Sequence, residues 1–141
     1  MEGPTVVEVA ATLEALCGNP CDTLVLAAPR PGAPLSGLTE LADWRLGGRV
    51  ARALARAPLP EGESLLLGGG PALPVARVVV VHTGPRALDA LVQRLRGLEP
   101  VGPVGLCPDD FGLGLKAVRR ALGGLSLLVF VGDVASPTRG A

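Results

Sequence analysis

The feature that most constrains this chain is Thr23–Ala28, an apolar run without polar alternation, bounded by Asp22 on one side and by Pro29, Pro31, Gly32 and Pro34 on the other. A strand with no polar face has no side to offer to water, so it is covered on both faces and the chain must supply layers above and below it. Beyond the Pro/Gly loop, Leu38, Leu41, Ala42, Leu46, Val50, Ala53, Leu54 and Ala57 recur at three- and four-residue steps. That period predicts the longest helix of the chain, with Ser36 and Thr39 as candidate caps. Gly47 and Gly48 interrupt it. Each costs about 1 kcal/mol in a helix relative to alanine, so they predict either a close backbone approach or a helix broken in two, and the periodicity is compatible with both.

Around this centre the chain alternates strand and helix patterns. Thr5–Val9, rich in valine with Glu8 interposed, predicts a first strand near a sheet edge, and Ala11–Leu16 a short helix stopped by Gly18, Asn19 and Pro20. Glu63–Gly68 and Val78–Val81 predict a third and a fourth strand, separated by Gly69, Gly70 and Pro71, and the unbroken valines mark the fourth as the centre of the sheet. Arg86–Gly97 carries Leu88, Leu91, Val92 and Leu95 on one helical face. Val104–Cys107 reads as a fifth strand, Leu113–Leu122 as a helix that Asp109 or Asp110 can cap, and Leu125–Val131 as a last strand. Strands that alternate with helices and read as apolar runs predict an α/β fold, a three-layer α/β/α arrangement with a parallel or mixed sheet. The third and fourth strands, with no helix between them, make it mixed, though mostly parallel. The expected organisation is a single domain over 1–132 with a disordered tail over 133–141.

The 141 residues suffice for a hydrophobic core, and hydrophobic residues make up 48% of them. Yet no apolar run exceeds Leu127–Val131, far short of the ~18 residues of a membrane span. The opening MEGPTVVEVA has no basic residue ahead of an apolar stretch, so a cytoplasmic protein without a secretory signal is expected. Thirteen basic and thirteen acidic residues leave no net charge and no long-range field to favour nucleic acid or an anionic membrane as partner. Three cysteines, Cys17, Cys21 and Cys107, are an odd number for a disulfide framework and are expected to be reduced and mostly buried.

Few residues form a chemical constellation. His82, the lone histidine, lacks sequence neighbours to complete a metal site, and Cys17 and Cys21 are neither a Cys-x-x-Cys pair nor half of a zinc set. No metal, cofactor or catalytic residue is therefore expected. Gly68, Gly69 and Gly70 offer backbone N–H groups of the kind that cradle phosphate, but Pro71 follows and no helix begins there to add its dipole, so a tight connection between two strands is the better account of them. Gly112 and Gly114 open the last helix, but Asp109 and Asp110 beside them oppose an anion. Arg45, Arg49, Arg52 and Arg56 recur as one stripe on the predicted long helix, with Trp44 at its start. Such a stripe is a solvated face or, with an exposed Trp, a docking surface.

Several phrases resemble a known family. CDTLVLAA, LSGLTELADWRLGGRVARAL, GESLLLGGG, LPVARVVVVHTGP and the segment around PVGPVGLCPDD resemble the N-terminal domain of the leucyl (cytosol) aminopeptidase family over roughly Cys21–Leu122. The resemblance implies a macro-domain-like α/β/α fold. In that family the metals and catalytic residues belong to a separate C-terminal domain whose Asn-Thr-Asp-Ala-Glu-Gly-Arg motif is absent here, so it also implies a non-catalytic module acting through a protein partner or self-association. A looser resemblance, of Asp22–Pro29, is to macro domains that bind ADP-ribose. Here Leu26 and Pro29 stand where those domains carry asparagines, and Leu35, Ser36 and Gly37 where they carry a glycine triplet. This second resemblance implies a nucleotide-type small-molecule site that includes Asp22 and Gly37, served by the loops after Ala28, Gly68 and Cys107.

Overall fold

The computed structural model describes residues 4–30 and 32–132. In chain order these form β1 (Val6–Ala10), α1 (Leu13–Gly18), β2 (Cys21–Ala28), α2 (Gly37–Arg45), α3 (Arg49–Arg56), β3 (Ser64–Gly68), β4 (Val75–His82), α4 (Ala87–Leu98), β5 (Val104–Leu106), a 3-10 turn (Pro108–Phe111), α5 (Leu115–Ala121) and β6 (Leu127–Val131). The residues of the expected tail lie outside the described ones.

The strands build one six-stranded sheet in the order β1-β6-β5-β2-β4-β3. Every pairing is parallel except β3 with β4, the two strands joined without a helix. The absence of alternation in β2 is explained by its register: Leu24, Val25, Leu26 and Ala27 lie beside Val78, Val79, Val80 and Val81 of β4, and all of these side chains are buried. Leu24, Leu26, Val78, Val80 and Phe130 pack under Leu16 of α1, Leu41 of α2 and Val50 of α3. Val25, Val79, Val81, Leu106 and Val129 point the other way, against Leu91 and Leu95 of α4 and Val118 of α5. Three layers result, and each fully buried Leu, Val or Phe contributes about 1.5–3 kcal/mol from removal of apolar surface from water.

Two expectations need correction. The valine strand β4 is not the middle of the sheet; it stands one place from the edge, next to β3, while β2 and β5 hold the centre. Its all-buried character comes from helices on both faces, which a strand near an edge can have as well as a central one. The predicted long helix is also two helices, and α4 is the longest instead. Gly47 and Gly48 both adopt positive φ, 67° and 83°. The Gly48 N–H donates to Asp43 O (2.9 Å) and the Gly47 N–H to Trp44 O (3.4 Å), which closes α2 with a Schellman motif. The same Asp43 then turns its carboxylate onto the next helix, accepting from the N–H groups of Val50 (2.8 Å) and Ala51 (3.2 Å). One residue thus ends α2 and caps α3, and the glycines supply the backbone conformation between them.

Candidate functional site

Because β1, β2, β4, β5 and β6 all run the same way, their carboxyl ends share one edge of the sheet, where open α/β folds place ligands. At that edge β2 ends at Ala28 beside His82 of β4. A recess of about 140 Å³ opens there, lined by Ala27, Ala28, Pro29, Ser36, Thr83 and Asp110. Ala28 and Pro29 also border a larger cavity of about 430 Å³, walled by the 32–35 loop and by Ala51, Leu54 and Ala55 of α3. This larger cavity is mainly apolar and of small-molecule size, and among the described residues Arg30 is the one charged side chain lining it.

The recess is held in shape by hydroxyl and carboxylate groups. Thr39 Oγ1 donates to Ala27 O (2.8 Å) and Thr83 Oγ1 to Ala28 O (2.7 Å), satisfying carbonyls at the end of β2. Ser36 occupies the N-cap position of α2 without a side-chain capping bond. Asp110, from the 3-10 turn after β5, caps α2 instead: its Oδ2 accepts from the Leu38 N–H at 2.8 Å. Gly37 has φ 61°, and the Asp110 carboxylate fills the space where a Cβ would project. A carboxylate at a helix N-terminus meets a favourable dipole. Nevertheless burial pushes the Asp110 pKa up, with Asp109 adding to the rise while hydrogen bonds from Leu38 and Cys107 oppose it.

The expected ligand residues divide between the two edges of the sheet. Gly37 and Gly112 flank Asp110: Gly112, at φ 66°, ends the 3-10 turn with its N–H on the carbonyls of Asp109 and Pro108. Asp22 lies at the opposite edge, where β2 begins. It pairs there with Arg77 at 3.0 Å and accepts from Thr23 Oγ1 at 2.9 Å, ~20 Å of strand away from Ala28 at about 3.3 Å per residue. Gly68, Gly69 and Gly70 are on that far edge too, because β3 runs antiparallel and Gly68 pairs with Arg77. The expectation that the loop after Gly68 joins those after Ala28 and Cys107 is therefore corrected. Moreover, Gly69 donates to Ala76 O (3.1 Å), and the Val75 carbonyl fills the place of its missing Cβ. Gly69 serves close strand-to-strand approach.

The arginine stripe is corrected as well, since the break at Gly47 divides it between two helices. Arg45 donates to Ala72 O (3.1 Å), Arg49 to Gly68 O (3.1 Å) and Arg52 to Gly47 O (2.7 Å), so these three fasten loops; Arg56 ends α3, exposed. Trp44 is 70% exposed. Among the described residues no group of three His, Cys, Asp or Glu side chains is placed to hold a metal ion. All three cysteines are free, and burial pushes the thiols of Cys21 and Cys107 up to about 11. Asp110 was legible only as a helix cap and an unfavourable charge; its partner Leu38 lies 72 residues away, a separation that no local pattern signals.

A six-stranded sheet in this order, parallel but for one edge pair and covered by helices on both faces, is a macrodomain-like α/β fold. The sequence matches no family model and no curated protein, so the likeness is carried by solved structures. The macrodomain of Mycobacterium tuberculosis DarG is similar with a TM-score of 0.69 and 15% identity, over 93% of this chain and 100% of that one. The macrodomain of Thermus aquaticus DarG gives 0.66 and 18%, over 92% and 100%, and the macro domain of ganglioside induced differentiation associated protein 2 gives 0.61 and 17%, over 96% and 79%. At such identities the shared property is the fold. Nothing in these comparisons links the chain to the leucyl aminopeptidase N-terminal domain.

Proposed function

We propose that this protein is a macro-type binder of a nucleotide-type small molecule, of the ADP-ribose class, held at the carboxyl edge of β2 and β4. The observation that carries the reading is the cavity of about 430 Å³ at the end of β2, which shares Ala28 and Pro29 of its lining with the recess at Asp110. Its apolar walls suit a flat heterocycle, and Arg30 at its lining supplies the cation that phosphates require. The macrodomain-like fold supports the choice of ligand class through the resemblance of Asp22–Pro29 to ADP-ribose-binding domains. The role we propose is binding. Asp110, the one acidic residue of the recess among those described, accepts from the Leu38 N–H, and the Thr83 hydroxyl donates to Ala28 O, so both have a structural task in holding the recess in shape.

Calorimetric titration with ADP-ribose tests this. Saturable one-to-one binding is expected, and Ala55→Trp, at an exposed helix position that lines the cavity, should weaken it about tenfold or more by filling the space. A flat titration of folded protein, or an Ala55→Trp variant that binds undiminished, contradicts the proposal. A second role, as a docking module for a protein partner, is favoured by one observation, the exposure of Trp44 on α2. It uses the opposite end of α2 and is compatible with the first.

A further inference from the structure

At β1 the sheet combines a free strand edge with a cluster of cations. β1 pairs with β6 alone. The Leu127 N–H donates to Thr5 O and the Ala11 N–H to Val131 O, so by strand alternation Val6 and Glu8 aim their backbone N–H and C=O groups away from the sheet. Between β1 and α5 lies a groove of about 820 Å³, with Val6, Leu122 and Leu127 in its apolar lining. Its charged residues are Lys116, Arg119 and Arg120, with no acid among those described. All three are exposed, and the one salt bridge among the described residues is Arg77 with Asp22. Val6 and Leu127 begin their strands, which sets the groove apart from the cavity at the carboxyl edge.

Positions 116, 119 and 120 share one helical face, where like charges repel. Arg119 and Arg120, in the last turn of α5, complement the helix dipole, but Lys116 stands in the first turn, which holds no acid and where a cation is unfavourable. The stability of α5 therefore does not explain why three cations gather beside an apolar groove. We propose that this surface docks an extended acidic segment of a partner protein, which adds to β1 as a further strand and lays its carboxylates over Lys116, Arg119 and Arg120. Strand addition satisfies the outward backbone groups of Val6 and Glu8, while alternate side chains of the segment enter the groove. Glu8 shares the face of Val6 and lies outside the groove lining. It repels an acid placed opposite itself, so the register that sets the acid opposite Val6 is favoured. A phosphate surface, whether lipid or nucleic acid, would answer the cations but leave the backbone groups of β1 unmatched.

The probe is a phage-displayed library of short random peptides, selected on the full chain after depletion on a variant carrying Arg119→Glu and Arg120→Glu. Enriched peptides should alternate Asp or Glu with apolar residues, and a synthetic copy followed by fluorescence anisotropy should bind about tenfold or more weaker to the variant and lose affinity as salt rises. Val6→Pro removes one outward N–H at the first position of an edge strand, where proline is tolerated, and should also weaken binding about tenfold. If that variant does not fold, hydrogen exchange on the unaltered protein replaces it, and the amides of Val6 and Glu8 should exchange about tenfold more slowly with peptide bound. No enrichment, enriched peptides without acids, or an acidic peptide that ignores Val6→Pro or leaves those two amides unprotected would overturn the proposal. So would a concentration-dependent dimer, or retention on phosphatidylserine vesicles, that the arginine variant abolishes while no peptide is enriched; the surface would then belong to a second copy or to a membrane.

Discussion

Gly37 and Asp110 show how two residues define one end of the site. Gly37 sits at φ 61° with the Asp110 carboxylate in the place of a side chain, so Gly37→Ala combines a left-handed conformation with a clash against a hydrogen-bonded group. Destabilisation of about 3 kcal/mol is expected, measured by urea denaturation. Asp110 also leaves a signature in pH. Its pKa is raised in the fold above the ordinary 3.8, so the folded protein holds that proton more tightly than the unfolded chain. Its contribution to stability is greatest below 3.8 and is lost as pH rises through the higher folded value. Urea midpoints followed upward from that acid limit should fall more for the unaltered protein than for Asp110→Asn; parallel curves would contradict the assignment. The cysteines give an independent check on burial. With Cys21 and Cys107 buried and their thiols raised to about 11, a maleimide at neutral pH should label the half-buried Cys17 first, as peptide mass spectrometry would read directly.

Among the elements, the junction of α2 and α3 carries most information. Gly47 has φ 67° and open space within 4 Å of the point where a Cβ would project, so Gly47→Ala meets only the backbone penalty and should cost about 1 kcal/mol. Asp43→Ala removes the acceptor for Val50 and Ala51 at the start of α3 and should cost about 1 kcal/mol. Denaturation midpoints of the two variants check both values. Most elements were legible in the sequence, since runs such as Thr23–Ala28 and amphipathic patterns such as Arg86–Gly97 report local period and burial. The choice at Gly47 and Gly48 was not, because a glycine pair fits a close approach or a break equally well. What settles it is Asp43, whose bonds on both sides of the gap depend on the geometry the break creates. The arginines misled for the same reason: a stripe drawn on one straight helix dissolves when the axis turns.

At the scale of the molecule, the mixed three-layer fold followed from the sequence, whereas the order of strands did not, because pairing joins residues far apart in the chain. That loss decides the site. Asp22 begins the strand that Ala28 ends, so the length of β2 alone parts them, and the reversed direction of β3 carries Gly68–Gly70 to the same far edge of the sheet. The central claim is therefore one of place, that a nucleotide of the ADP-ribose class binds at the carboxyl edge. Its most direct test is the backbone amide spectrum of isotope-labelled protein titrated with ADP-ribose. The account predicts shifts concentrated at Ala28, Arg30, Leu35, Ala51 and Leu38, with Asp22 and Gly68–Gly70 unmoved. Shifts centred on Asp22 and the glycine turn, or none at saturating ligand, would contradict it.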